Sequence, residues 1–356
     1  MRIILLSTSV GALGSGAGGG VELTVQTLAN GLASRGHSVT IVAPRGSFVA
    51  GHLIIGVDGT THTPSQTVDR AEALVVPNDS VLVNMWQRVL QLAGSGDHDI
   101  VLNFSYDALP FTAAGECPIA VAHLVSMGSL HNEMDAAVRS AAASSPHCIA
   151  MHSAAQAATF GAEIARHTTI VGGGIDVDAY RFVEVAGDDL AFIGRISAEK
   201  GIADVFAVAA RSGRRVLAFG VMQDRAVWQQ AQGQYPTARV EHVDFLATDE
   251  LQQRLGGCAA LIMVHRWVEA FGIVAIEALA CGVPVITYDR GGPVEIVRDG
   301  LTGFIVPADD VAAVVAAVHR LGTISRGECR KDATQRFSAQ AFTGRVEAWL
   351  ESVVRP

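Results

Sequence analysis

Nine short apolar runs, most of them rich in β-branched residues, recur along the chain: RIILLS from Arg2, SVTIVA from Ser38, DIVLNF from Asp99, IAVAHLV from Ile119, CIAMHS from Cys148, LAFIG from Leu190, RVLAFG from Arg215, ALIMV from Ala260 and PVITY from Pro284. Longer stretches with apolar residues at helical spacing separate them. Strands alternating with helices predict parallel sheets assembled from βαβ units. The pattern lapses at residues 168–187, TTIVGGGIDVDAYRFVEVAG, where the consecutive glycines Gly172, Gly173 and Gly174 predict a hinge. The expected fold is α/β, with two Rossmann-like doubly wound domains facing across a cleft. They would span residues 1–168 and 169–337, with a C-terminal helix at about 338–356 packing back on the first. Ligands in such folds bind beyond the carboxyl ends of the strands.

A chain of 356 residues with 49% hydrophobic content is long enough for two such domains. Its formal charge of -9, with no local basic cluster, argues against nucleic acid and anionic lipid surfaces as partners. Five scattered cysteines form no metal-ligand or disulfide pattern and fit a reducing compartment. The opening MRIILLSTSVGALGSGAG has the basic residue and apolar run of a secretory signal. That run lasts only about four to six residues before Ser7 and Thr8, short for such a signal. No stretch approaches the roughly 18 apolar residues of a membrane span. The expected protein is soluble and cytoplasmic.

Candidate chemistry sits in three places. After the first strand, GALGSGAGGGVELT concentrates glycine, and Gly16, Gly18, Gly19 and Gly20 lead into a helix expected from Val21. Such a loop lets backbone approach an anion, which the helix N-terminus favours; a ligand-free flexible loop is the plainer reading. A dinucleotide fingerprint fits less well, because TIVAPRG, at the end of the second strand, has no acidic residue. In the second half, LAFIGRISAEKG puts Arg195 just past a strand and Lys200 at the start of a helix. Two cations at a helix N-terminus form an anion clamp, against the alternative of ordinary surface cations. Lys200 is one of only two lysines in the chain, beside Lys331. Finally, EAFGIVAIEALACGVPV sets Glu269 in a loop and Glu277 inside a helix expected from Gly272 to Cys281. A carboxylate so deep in an apolar helix needs a partner. The hydroxyls of a ribose, or a structural ion pair, would serve.

Taken together, the glycine-rich loop, GRISAEKG, Glu269 and Glu277 in E-x7-E spacing, and GGPVEIVRDGLTGFIVP resemble retaining glycosyltransferases of the GT-B fold, family four, over nearly the whole chain. The resemblance implies an acceptor-binding first domain and a nucleotide-sugar-binding second domain. It also implies roles for individual residues. Arg195 and Lys200 would hold the donor diphosphate, Glu277 the ribose, and Glu269 the sugar hydroxyls beside the reacting carbon. Gly194, Phe271, Gly272, Ile273 and Val274 would line the donor, with Gly16, Gly18, Gly19 and Gly20 at its phosphates. His123, in IAVAHLV, would contact sugar and acceptor. The reaction would retain configuration and need no metal or other cofactor.

Within that family, SVGALGSGAGGGVELT, NMWQRV, LNFSYDALPF, AHLVSMGSL and RWVEAFGIVAIEALACG are similar to UDP-glucose:tetrahydrobiopterin glucosyltransferases. That similarity implies UDP-glucose as donor and a reduced pterin as acceptor. Val21 to Arg35 carries a single basic residue, which favours a small soluble acceptor over a lipid. Tyr106, Asp107, Phe111 and Met127 are candidates to stack on and hydrogen-bond a flat heterocycle, with packing as the plainer alternative. GGGID stands where many relatives have Pro-Asn-Gly-Val-Asp, so an asparagine contact is lost or passes to backbone. Asp176 and Asp178 imitate a metal-binding triplet but sit at the hinge. Other readings are another natural-product or sugar acceptor, a sugar-nucleotide epimerase, a nucleotide-dependent oxidoreductase and a non-catalytic sugar-nucleotide binder.

Overall fold

The computed structural model describes residues 1–15, 19–145 and 147–354. The chain divides into two compact units: residues 1–174 together with the helix Ala339–Val354, and Ile175–Ser338.

The first unit is built on a parallel sheet of β1 (Arg2–Leu6), β2 (Ser38–Pro44), β3 (Leu53–Val57), β4 (Ile100–Asn103), β5 (Ala120–Val125), β6 (Ile149–Met151) and β7 (Thr169–Ile170). Their order is β3-β2-β1-β4-β5-β6-β7. Successive residues of β1 face opposite sides, as strand geometry requires. Ile3 and Leu5 pack with Val25, Leu28 and Leu32 of the helix Gly20–Ser34 and with Phe342, Val346 and Leu350 of the C-terminal helix. Ile4 and Leu6 pack with Met85, Trp86 and Val89 of the helix Val81–Ala93. Both faces being covered is why these strands read as unbroken apolar runs.

The C-terminal helix approaches closely because small residues admit it. A Cβ at Gly31 would sit 2.1 Å from Thr343 Oγ1, and one at Gly174 would sit 2.4 Å from Phe342 Cβ. Arg345 Nε donates to Val171 O at 2.6 Å, tying the helix to the chain just before the three glycines.

The second unit repeats the arrangement with β8 (Leu190–Ile193), β9 (Val216–Phe219), β10 (Val240–Val243), β11 (Ala260–Met263), β12 (Val285–Tyr288) and β13 (Gly303–Val306), in the order β10-β9-β8-β11-β12-β13. All its pairings are parallel. Both units thus have the doubly wound architecture expected from the sequence. The nine apolar runs all form strands, and four further strands, β3, β7, β10 and β13, lie at the sheet edges. No helix among the described residues is long and apolar enough to cross a membrane.

Candidate active site

Strand order in the second unit reverses between β8 and β11, and a crevice opens at such a reversal beyond the strand ends. The segment after β8 carries Gly194, Arg195 and Lys200, and the segment after β11 carries His265, Trp267 and Glu269. The fold brings Lys200 and Glu269 together. Lys200 Nζ donates to Glu269 Oε2 at 2.6 Å, each side chain being 18% exposed. Trp267 Nε1 donates to the same oxygen at 3.2 Å, and its ring centroid lies 4.7 Å from Lys200 Nζ. The Lys200 stem passes over Gly194, where a Cβ would stand 3.7 Å from Lys200 Cδ. Gly201 adopts φ +79°, and a Cβ there would lie 1.9 Å from Val264 O, so only glycine lets the helix Ile202–Ser212 start this close to β11. Arg195 is half exposed, with Nη2 3.5 Å from Glu199 Oε1.

Glu269 is held from beneath by the Gly291-Gly292 turn. Gly292 N donates to Glu269 O at 2.8 Å. Cβ atoms at Gly291 and Gly292 would come within 2.7 Å of Glu269 N and 2.5 Å of Phe271 Cα respectively. The chain then turns through Gly272, at φ +95°, into the helix Ile273–Ala280, which no side chain caps. Its first turn, with Ile273 and Val274 half-buried, therefore presents main-chain amides and the positive end of the helix dipole. Phe271 is buried, its ring edge-on to Phe337 with centroids 6.2 Å apart.

Glu277 lies deeper in the same helix and is 6% exposed. Its partner in the structure is Tyr180, whose hydroxyl donates to Oε1 at 2.7 Å. Burial pushes the carboxyl up to about 7, against the lowering influence of that hydrogen bond. His265, also buried, must donate through Nε2 to Arg290 O at 2.9 Å, and burial holds its basicity below the ordinary value.

The remaining expected residues belong to the first unit. Gly16 and Gly18 lie outside the described residues. Gly19, at φ +55°, caps the helix Gly20–Ser34, and Gly20 is its first residue. Glu22 Oε2 in that first turn accepts from Gly14 N at 2.8 Å, so a carboxylate of the chain takes one of the loop amides an anion would use. His123 is buried in β5. Ser105 N donates to Asn103 Oδ1, which turns Asn103 Nδ2 toward His123 Nδ1 at 3.1 Å. The proton of the neutral ring therefore sits on Nε2, a buried donor with no partner among the described residues. Burial drops its basicity to about 3, so His123 is a neutral hydrogen-bond donor and no proton reservoir at neutral pH.

Of the acceptor candidates, Phe111 stacks on His123 with centroids 4.2 Å apart and is buried in a short helix, Ala108–Thr112. Its ring is committed to the core. Tyr106 is buried in the same cluster and donates to Gly128 O at 2.7 Å, while Met127 packs against that cluster. These three behave as packing residues, because each completes the apolar floor below β5 and β6. Asp107 differs. It accepts from Ser105 Oγ at 2.5 Å, Ser9 Oγ at 2.9 Å and His62 Nε2 at 2.9 Å. Burial alone would raise this carboxyl, and the three donors together hold it below the usual range.

Asp176 and Asp178 serve the turn at Val177–Ala179. Asp176 Oδ1 accepts from Asp178 N at 3.2 Å, and Asp178 is exposed. Among the described residues no group of three or more His, Cys, Asp or Glu is placed to hold a metal ion.

Residues 184–337 match the family model described as Glycosyl transferases group 1. Two solved structures superpose over essentially the full length. One is AviGT4, a glycosyltransferase involved in avilamycin A biosynthesis, at TM-score 0.74 and 21% identity, covering 100% of this chain and 99% of that one. The other is Anabaena Alr3699/HepE in complex with UDP, at TM-score 0.76 and 17% identity, covering 99% and 100%. The fold is GT-B. The GT-B chain is also similar in sequence to D-inositol 3-phosphate glycosyltransferase of Kribbella flavida, 32% identical over 190 residues, covering 45% of this chain and 44% of that protein. A glycogen synthase of Mycobacterium tuberculosis is 31% identical over 161 residues, covering 42% and 38%. The GT-B chain thus spans less than half the length of these curated relatives.

Sequence reasoning assigned no role to Tyr180, Trp267, His265, Gly291, Gly292 or His62. Three of them left a signal. The Gly-Gly-Pro at 291–293 marks a tight turn, and Trp267 stands two residues before Glu269. Tyr180 pairs with Glu277 across 97 positions, which no local pattern announces.

Proposed function

We propose that this protein is a retaining glycosyltransferase that moves a hexose from a nucleotide sugar to a hydroxyl of a small soluble acceptor, without a metal. The observation that carries the reading is the Lys200 and Glu269 pair at the β8 and β11 reversal, next to the uncapped start of the helix Ile273–Ala280. A nucleoside diphosphate leaving an anomeric carbon gathers negative charge on its phosphates. Fixed positive charge and main-chain amides aimed at that charge lower the barrier. Lys200, Arg195 and the first turn after Gly272 supply both. Glu269, oriented by Trp267 and Lys200, is the acceptor for the donor sugar's hydroxyls, and Glu277 with Tyr180 is the anchor for the ribose. The leaving phosphate takes the acceptor proton on the face it departs from, so the configuration is kept.

We assign acceptor recognition to the first unit. The finer reading is UDP-glucose as donor and a reduced pterin such as tetrahydrobiopterin as acceptor, in the cytoplasm; the sequence segments similar to pterin glucosyltransferases support it. The test is incubation with UDP-glucose, without added metal, with and without tetrahydrobiopterin, following UDP release and product mass together. A pterin heavier by one hexose supports the full reading. UDP release with no glycosylated pterin keeps the transferase and rejects the pterin. Conversion of UDP-glucose to another UDP-hexose points to an epimerase, and no reaction of any kind counts against the donor itself.

A further inference from the structure

Asp107 lies where the first sheet's strand order reverses: Ser9 follows β1, Ser105 and Asp107 follow β4, and β1 and β4 are neighbours. This is the position where a doubly wound sheet opens a crevice. Beside Asp107 is a cavity of about 70 Å³, lined by His62, Asp107 and Glu133 on its polar side and by Leu74, Val76 and Leu109 on its apolar side. A buried water needs only about 10–15 Å³ of such space, so the cavity has room for roughly five non-hydrogen atoms. His62 is the polar group left over. Its side chain is 4% exposed and its Nε2 is committed to Asp107 at 2.9 Å. Its Nδ1 is buried without a hydrogen-bond partner among the described residues. Leaving such an atom unpaired costs the protein stability, which a bound ligand would restore.

We propose that this cavity receives the hydroxyl-bearing end of a neutral molecule, an end of about five non-hydrogen atoms, one hydroxyl pairing with His62 Nδ1 while adjacent carbon packs on Leu74, Val76 and Leu109. A hydroxyl both donates and accepts, so it satisfies Nδ1 in either protonation state of the ring. Two carboxylates in the wall, Asp107 and Glu133, act against a phosphorylated ligand. Asp107, held by Ser9 and Ser105, fixes the imidazole and is the positioning residue. Naming the ligand as the sugar acceptor rests on the transferase reading above; the site itself does not.

The test uses the full chain and saturation-transfer NMR with glycerol, 1,2-propanediol, myo-inositol and tetrahydrobiopterin as probes, glycerol 3-phosphate as the anionic control, and a UDP titration in parallel. His62→Gln puts its amide nitrogen where Nε2 stood, keeping a donor for Asp107 while the ring and its Nδ1 are lost. At least one neutral probe should bind the wild-type chain and bind His62→Gln about tenfold more weakly, with UDP affinity unchanged and no loss of melting temperature. Val76→Trp, which fills the cavity from its apolar side, should abolish the same signal. Absence of binding by every neutral probe, equal binding to both variants, or tighter binding of glycerol 3-phosphate than of glycerol would overturn the assignment. Loss of UDP binding by the wild-type chain alone would instead sink the transferase reading and leave the site standing.

Discussion

Glu277 gives the sharpest quantitative expectation. Its carboxyl is buried and titrates near 7 in the folded chain, against 4.5 when solvated. Between those values the folded state holds a proton that the unfolded state has released, so stability falls as pH rises through that window. Integrating the two titrations gives a penalty of about 1 kcal/mol at pH 5 and about 3 kcal/mol at pH 8. Glu277→Gln keeps the shape and an oxygen for the Tyr180 hydroxyl but cannot ionise. Whatever fixed cost the amide carries, the difference between variant and wild type should therefore move in the variant's favour by about 2 kcal/mol from pH 5 to pH 8. For a unit of this size that is roughly 4–8 °C in melting temperature. Thermal melts of both proteins across that range measure it directly. A variant whose offset from wild type stays constant with pH would show that Glu277 is ionised in the fold, and the account of its burial would fail. UDP affinity should fall in the variant at pH 8, where the wild-type carboxylate is charged.

Three further outcomes are expected. Lys200→Ala should lower transfer from the donor by about a hundredfold or more while the melting temperature moves by only a few degrees; kinetics and melts that collapse together would make Lys200 structural. Gly291→Ala forces a Cβ to within 2.7 Å of Glu269 N at φ +74° and should cost about 2 kcal/mol or more in urea unfolding. Donor turnover should drop with it, because the Glu269 loop has nowhere to retreat. Gly31→Ala should cost about 1–3 kcal/mol by pushing on Thr343, and adding Thr343→Ala should return most of it; a double variant no better than the single would disprove that contact as the cause.

The parts of the fold legible in the sequence were those buried on both faces. The buried stretches at residues 3–6 of β1, 100–102 of β4 and 260–263 of β11 are apolar, and so they read as strands without ambiguity. β3, β7, β10 and β13 escaped notice because an edge strand has one neighbour and fewer demands on composition. Val240–Val243 is half solvent-facing, Thr169–Ile170 is only two residues long, and Gly303–Val306 begins with a glycine that reads as part of a turn. At the site, Glu277 was readable because charge in an apolar run is conspicuous, Glu269 by its E-x7-E spacing to it, and Lys200 by its place with Arg195 between a strand and a helix. What holds them was not. Tyr180 and the Gly291-Gly292 turn act over long sequence separations, and the proximity of Phe111 to His123 depends on how a short helix seats itself over β5. Phe111 and Tyr106, read as acceptor candidates with packing as the plainer alternative, are buried in the core of the first unit. An aromatic residue in a chemically suggestive stretch is as useful to a core as to a ligand, and only packing distinguishes the two uses.

The helix Ala339–Val354 leaves the ribosome only after the whole of Ile175–Ser338 has been made. Until then Ile3, Leu5, Val25, Leu28 and Leu32 lack the cover that Phe342, Val346 and Leu350 later provide. The second unit, continuous in sequence, is free to fold as it emerges, whereas the first must wait with part of its apolar face bare. The order of synthesis and the order of maturation are thereby reversed for the half made earliest. A nascent chain stalled or cut before Ala339 presents that face to chaperones and to other chains.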